Sequence, residues 1–166
     1  MDIQNAIGSL ESAILNASKG LPDDVFLFVS RITPMVNVDL LIKNEQRQTL
    51  LTWRDDGLGP PGWHLPGGII RYKETMAHRI QEVARTELGA EVEFNLEPLA
   101  VNQFIHETRK NRGHFISLLF SCKLLTSLDE RLRCDVGKAA RDQWRWHSSC
   151  PIDIIPTHEV MYKKFL

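Results

Sequence analysis

His64-Leu-Pro-Gly-Gly-Ile-Ile-Arg-Tyr-Lys-Glu74-Thr-Met-Ala-His-Arg-Ile-Gln-Glu82-Val-Ala-Arg-Thr-Glu87-Leu-Gly89-Ala90 reads as a strand, a glycine loop and one helix. Pro66-Gly67-Gly68 permits backbone angles and a closeness of approach that a Cβ resists. Thr75 suits an N-cap and Gly89 the position just past a helix end. Met76, Ala77, Ile80, Val83, Ala84 and Leu88 recur at helical spacing as a buried stripe, which turns His78, Arg79, Glu82 and Arg85 outward. Glu87 falls at the edge of the stripe, in the last turn, where a carboxylate meets the negative end of the helix dipole at a cost of about 0.3–1 kcal/mol. A bound cation would reverse that sign.

These residues resemble the Nudix box, G-x5-E-x7-R-E-U-x-E-E-x-G-U with U a bulky aliphatic. Gly68, Glu74, Glu87 and Gly89 fall on it at the right spacing. Glu82 stands at the box Arg, Val83 at the next Glu and Thr86 at the first Glu of the pair, so the box is degenerate. The loss of carboxylates is similar to the GDP-mannose mannosyl hydrolase subgroup, in which one glutamate remains as the side-chain metal ligand. The resemblance runs upstream through Thr33-Pro34-Met-Val-Asn-Val-Asp39-Leu-Leu-Ile and Leu50-Leu-Thr-Trp-Arg54, and downstream to Trp146.

The resemblance implies an α/β/α sandwich with a mixed β-sheet over residues 32–166, preceded by an added helical extension over residues 1–31. It also implies a divalent cofactor, Mg2+ or alternatively Mn2+. Magnesium takes oxygen ligands, typically one or two carboxylates with substrate phosphate and water. Glu87 then supplies the carboxylate, and the carbonyl of Gly67 or Gly68 the second protein ligand. Arg54, at the position of an arginine that contacts the nucleotide diphosphate, joins Glu87 as a catalytic candidate; beside Asp55-Asp56 it also reads as a surface ion pair. Asp39 reads either as a buried, satisfied acid or as a substrate contact. Ile69 replaces an arginine of the subgroup, and Arg71 is the residue placed to substitute for it. The subgroup's catalytic His aligns with Arg141, ahead of Asp142-Gln-Trp144-Arg145-Trp146, which leaves the base unassigned, with His147, His106 and Glu107 as its candidates.

Two reactions stay open for a nucleoside diphosphate derivative such as a nucleoside diphosphate sugar: water attack at the glycosyl carbon, or at phosphorus. Binding of a nucleotide with little turnover is the third reading.

Composition bounds these readings. A chain of 166 residues, 43% hydrophobic and 25% charged, suits one domain with a full core. A net charge of −1 provides no field for nucleic acid or an anionic membrane, so an anionic small molecule must be held by a few placed cations. Cys122, Cys134 and Cys150 have no Cys-x-x-Cys spacing, which argues against a disulfide framework or zinc site and for reduced thiols in a cytoplasm. Met1-Asp2-Ile3-Gln4 does not read as a secretory signal.

Elsewhere, Ile3 to Ser18 predicts an amphipathic helix ended near Gly20, either packed on the core or serving as a homodimer arm. Leu21 to Val29 predicts a second helix. Met35 to Lys43 alternates as a strand and is expected to form a hairpin with Thr49–Arg54. Gly57 to Gly62 reads as a loop, with Trp63 and His64 as packing residues. Strands are expected at 91–94, 99–105 and 114–124, with 107–113 as a polar hairpin loop. Residues 128–138 are expected to be mobile and 142–147 a short strand. Closing helices are expected at 151–155 and 157–165, the second capped by Thr157.

Overall fold

The computed structural model describes residues 2–57, 59–135 and 137–166; Leu58 and Val136, within the loops expected at 57–62 and 128–138, lie outside the described residues. In chain order the elements are α1 (Ile3–Ala13), α2 (Asp23–Val29), β1 (Met35–Ile42), β2 (Thr49–Arg54), β3 (Gly62–His64), β4 (Gly67–Ile69), α3 (Met76–Val83), β5 (Val92–Phe94), β6 (Ala100–Ile105), β7 (His114–Leu124), β8 (Trp144–His147) and α4 (Pro156–Tyr162).

The apolar run of β7 organises the larger sheet. One edge pairs in parallel with β1 along its whole length, and the other pairs antiparallel with β6 and then β5. β4 runs antiparallel along the outer edge of β1, which completes a mixed five-stranded sheet. β3, β2 and β8 form a separate antiparallel sheet. The expected hairpin of β1 and β2 is therefore corrected. Its turn exists, with Asn44 N–H donating to the Gln48 carbonyl at 3.1 Å and a bridge from Lys43 to Thr49, but the strands then part into different sheets. Both edges of β1 are already occupied, by β4 and β7, so no ladder edge is left for β2.

Alternation along β1 feeds two cores. Val38, Leu40 and Ile42 pack with Ile80, Val83, Ala84 and Leu88 of the box helix and with Phe120 and Trp144. Leu41 faces the other way, toward Leu51, Trp53, Trp63, Met161 and Tyr162. Each aliphatic side chain so enclosed contributes about 1.5–3 kcal/mol. α3 thus covers one face of the sheet and α4 the other, as expected of an α/β/α sandwich with a mixed sheet.

The box helix begins as expected, the Thr75 hydroxyl accepting the His78 N–H at 3.2 Å. Past Val83 it widens into a π-helical turn, Ala84–Leu88, and stops at Gly89 with φ 62. Its outward face departs from expectation. Arg79 is buried, 8% exposed, and Met76 is 36% exposed. Glu74 folds back from the preceding loop and accepts Arg79 Nε at 2.8 Å and Nη2 at 2.7 Å, which makes the inward turn of the guanidinium favourable.

Three further expectations change. Residues 151–155 form no helix: Trp63 N–H donates to the Asp153 carbonyl and Ile155 N–H to the Trp63 carbonyl, both at 2.9 Å, so this segment extends the small sheet. α4 starts with Pro156 in its first turn rather than with a Thr157 cap. The described residues of 128–135 are anchored, with Leu128 and Cys134 buried and Cys134 N–H bonded to the Trp144 carbonyl at 2.9 Å.

α1 ends at Ala13, followed by a 3-10 turn at Ala17–Lys19, and buries none of its residues; Ile3 is 72% exposed. It does not pack on the core. The three cysteines are free thiols. Among the described residues no helix is long and apolar enough to cross a membrane.

Candidate active site

A cleft of about 320 Å3 opens between the large sheet, the end of the box helix and the small sheet. Its construction begins with the two glycines. Neither has a positive φ; both are needed for close approach. A Cβ on Gly67 would meet the Asp39 carboxylate and the Val38 carbonyl, and one on Gly68 would lie 2.9 Å from Val83 Cγ2. The β1–β4 register sets Val38 opposite Gly68 and Asp39 opposite Gly67, while Leu40 N–H donates to the Pro66 carbonyl and Ile70 N–H to the Val36 carbonyl, both at 2.9 Å. Hydrogen-bonded and non-bonded pairs alternate in an antiparallel ladder. Gly68 is therefore tied to β1, and Gly67 turns its amide and carbonyl outward from the sheet edge.

The Gly67 N–H meets Glu87 Oε1 at 3.4 Å, and the Thr52 hydroxyl donates to Glu87 Oε2 at 3.2 Å. Enclosure at the base of the cleft pushes the Glu87 carboxyl up to about 8, against those two bonds, and the negative charges of Asp39 and Asp142 add to the rise. Asp39 is 2% exposed and is satisfied by hydroxyls and an amide rather than by a basic group: Ser117 and Tyr162 donate to it, as does Asn37 Nδ2 at 2.9 Å. Burial raises its carboxyl to about 6 despite those bonds. Asp39, a buried and satisfied acid, also lines the cleft.

The remaining box glutamates lead away from the cleft. Glu74 is consumed by Arg79, by the Arg71 N–H at 2.8 Å and by His78 Nδ1 at 2.8 Å. Glu82 pairs with Arg85 at 2.9 Å on the outer face. A donor set of one carboxylate and one outward carbonyl is sparse, and among the described residues no group of three or more His, Cys, Asp or Glu side chains is arranged to hold a metal. The set fits an oxygen-seeking ion whose other ligands arrive with the substrate.

Cations line the cleft as well. Arg54 lies at the end of β2 with its Nε on Asp56 at 2.8 Å, so the ion pair forms inside the cleft rim. Arg109 and Arg112, from the loop joining β6 and β7, also line it. The sequence offers their signal only as a cationic loop, and it takes the β6–β7 register to aim them inward. Arg71 is not brought here; it borders a second, apolar hollow beside Leu21, Phe26 and Val36. Ile69 does line the cleft, with no other cation replacing it from β4. His106, Glu107 and His147 do not line the cleft. His147 lies edge-on to Trp63, ring centroids 4.6 Å apart. Asp142 and Arg141 do line it. Trp63 is a core residue, whereas His64 reaches the cleft and places Nε2 3.1 Å from the Thr52 hydroxyl.

The model of the NUDIX domain family matches residues 33–162. The chain belongs to the NUDIX family. The chain is also similar to the low-salt glycan biosynthesis protein Agl8 of Haloferax volcanii, 29% identical over 119 residues that cover 69% of this chain and 73% of that protein. Among solved structures, the MutT protein from Methanosarcina mazei Go1 aligns with TM-score 0.60 at 17% identity, over 80% of this chain and 94% of that one. A NUDIX family hydrolase from Clostridium perfringens aligns with TM-score 0.54 at 13% identity, over 80% and 96%. These two share the NUDIX fold, and the match to the family makes the chain a hydrolase of the NUDIX kind.

Proposed function

We propose that this NUDIX protein is a magnesium-dependent hydrolase of a nucleoside diphosphate sugar and cleaves at the glycosyl carbon. The observation that carries the reading is that, of Glu74, Glu82 and Glu87, only Glu87 enters the cleft. Attack at phosphorus in the manner of the full box draws on several glutamates, and a site with one retains what is needed to neutralise a departing diphosphate. The glycan role in the name of the Haloferax relative supports a sugar nucleotide as substrate.

In this reading Glu87 and the Gly67 carbonyl hold Mg2+, or Mn2+ in its place, which supplies charge neutralisation for the leaving nucleoside diphosphate. Arg54 binds the phosphate oxygens, together with Arg109 and Arg112, because a guanidinium meets phosphate oxygens in pairs. Asp142 takes the proton of the attacking water. It lines the cleft, and its left-handed backbone (φ 67) is pinned by its own N–H on the Trp53 carbonyl at 2.9 Å and by Trp53 N–H on the Gln143 carbonyl at 2.7 Å. Water oxygen bonds to the anomeric carbon, the bond from that carbon to the phosphate oxygen breaks with its electron pair leaving on the diphosphate, and Asp142 receives the proton. The exposed apolar stripe of α1 supports a homodimer built through residues 1–31, apart from the domain at 32–166, and the unpaired thiols suit a cytoplasmic protein.

Hydrolysis of nucleoside diphosphate sugars in 18O-labelled water tests the reaction. Label in the released sugar is expected. Label in phosphate overturns carbon attack in favour of phosphorus, and tight binding without product overturns turnover itself.

A further inference from the structure

We infer that Thr52 and His64 are positioning residues, a two-link relay from the small sheet that presents the Glu87 carboxylate to its cation. The inference rests on Glu87 as the metal carboxylate of the proposed function.

Thr52 on β2 stands directly opposite His64 on β3, and it is 1% exposed. A hydroxyl carries one hydrogen and two lone pairs. With its hydrogen on Glu87 Oε2 at 3.2 Å, the Thr52 oxygen accepts from His64 Nε2 at 3.1 Å, which sets His64 as the Nε2–H tautomer. Burial, with the Arg54 charge beside it, lowers the imidazole to about 4, so the ring donates as a neutral group. Behind it the His158 ring stands edge-on at 5.6 Å, its Nδ1 accepting the Leu65 N–H at 3.0 Å.

The contrast with Glu74 gives the relay its meaning. Glu74 is saturated by a guanidinium, an imidazole and an amide at 2.7–2.8 Å. Glu87 receives two neutral donors, a hydroxyl at 3.2 Å against roughly 2.5–2.7 Å for a strong hydroxyl–carboxylate bond and an amide at 3.4 Å against roughly 2.9–3.0 Å for an ordinary N–H bond. Such bonds fix the direction of a carboxylate and leave its lone pairs available. A buried threonine needing only to satisfy its hydroxyl would find a backbone carbonyl; this one bridges two side chains of the cleft. Outer partners that orient a metal ligand typically change affinity by about 10–100-fold when removed.

The test is the affinity for Mn2+ in the presence of guanosine diphosphate, read from the electron paramagnetic resonance of free Mn2+. Thr52→Val keeps the shape and removes the hydroxyl, and is expected to weaken Mn2+ binding by about 10–100-fold. Thr52→Ser is expected to restore it, which a purely structural role of the threonine methyl would not. His64→Phe fills the same space and is expected to weaken binding with Thr52 intact; it carries the test if Thr52→Val fails to fold. Unchanged affinity in Thr52→Val overturns the relay, and unchanged affinity in His64→Phe removes the histidine from it. Wild-type protein that binds no Mn2+ with the nucleotide present overturns the metal reading of Glu87 instead, a result distinct from the other two.

Discussion

Glu74 and Glu87 lie on the same box and end with opposite chemistry because of what surrounds each carboxyl. At Glu74 burial is outweighed by the hydrogen bonds of Arg79, the Arg71 amide and His78, and the carboxyl falls to about 2. At Glu87 burial wins over two neutral donors and the carboxyl rises to about 8. One is a fixed anion that fastens the start of α3; the other is a carboxylate that gains from a cation. Asp142 belongs to the same scale, as an exposed acid on the cleft wall. Asp142→Asn preserves a residue that tolerates the left-handed backbone, and is expected to lower kcat by about 100- to 10,000-fold, the range of general base catalysis. KM should stay near its wild-type value. Steady-state kinetics on the sugar nucleotide decide this, and a KM effect alone would make Asp142 a binding group.

At the level of elements, β4 is tightly constrained. Its outward Gly67 and ladder-bound Gly68 are both spaced by neighbours that leave no room for a methyl group. Gly67→Ala drives a Cβ into the Asp39 carboxylate and is expected to destabilise the fold by about 1–3 kcal/mol, the usual cost of overpacking. Urea unfolding measures it, and a loss of less than about 0.5 kcal/mol, the usual range for surface substitutions, would mean that β4 shifts freely. The box helix, β1, β2, β7 and the loop at 107–113 were all legible in the sequence, because each declares itself through a short-range period or a cap. What escaped reading depends on distant partners. Alternation in β1 and β2 specifies strands but not which sheet each joins. Arg79 looks like a surface residue of a helix until Glu74 reaches back to it. Arg109 and Arg112 look like a solvated loop until pairing of β6 and β7 turns them to the cleft, and Arg71 is displaced from it by the course of the chain after β4. Thr52 and His64 carry no motif at all; only the β2–β3 register joins them.

For the whole molecule, the enclosed acids tie stability to pH. Asp39 has a folded value near 6 against an ordinary 3.8, so its contribution is fully present below 3.8 and is lost as pH rises through 6. Glu87 continues the decline from 4.5 through about 8 in the absence of a cation. Glu74 acts in the opposite sense: its contribution is present above 4.5 and lost as pH falls through about 2. Tm without added metal is therefore expected to fall between pH 4 and 8, and Asp39→Asn to flatten the portion below about 6. An unchanged slope in that variant would place the titration elsewhere. The exposed α1 gives a second expectation: removing residues 1–15 should leave the Tm of the remainder unchanged while converting a dimer to a monomer in sedimentation, and a dimer that persists would free α1 of that role.

The hydroxyl of Tyr162 reaches Asp39 across 123 residues of sequence, and the small sheet takes its last pairing from the segment just before α4. Contacts of such separation form late, after local helices and hairpins have paid their smaller closure entropy. The α4 wall of the cleft is therefore expected to assemble last. In refolding from denaturant, far-ultraviolet dichroism should recover ahead of nucleotide binding, and the interval between them times the docking of α4; simultaneous recovery would mean that this closing contact is already made in the folding nucleus.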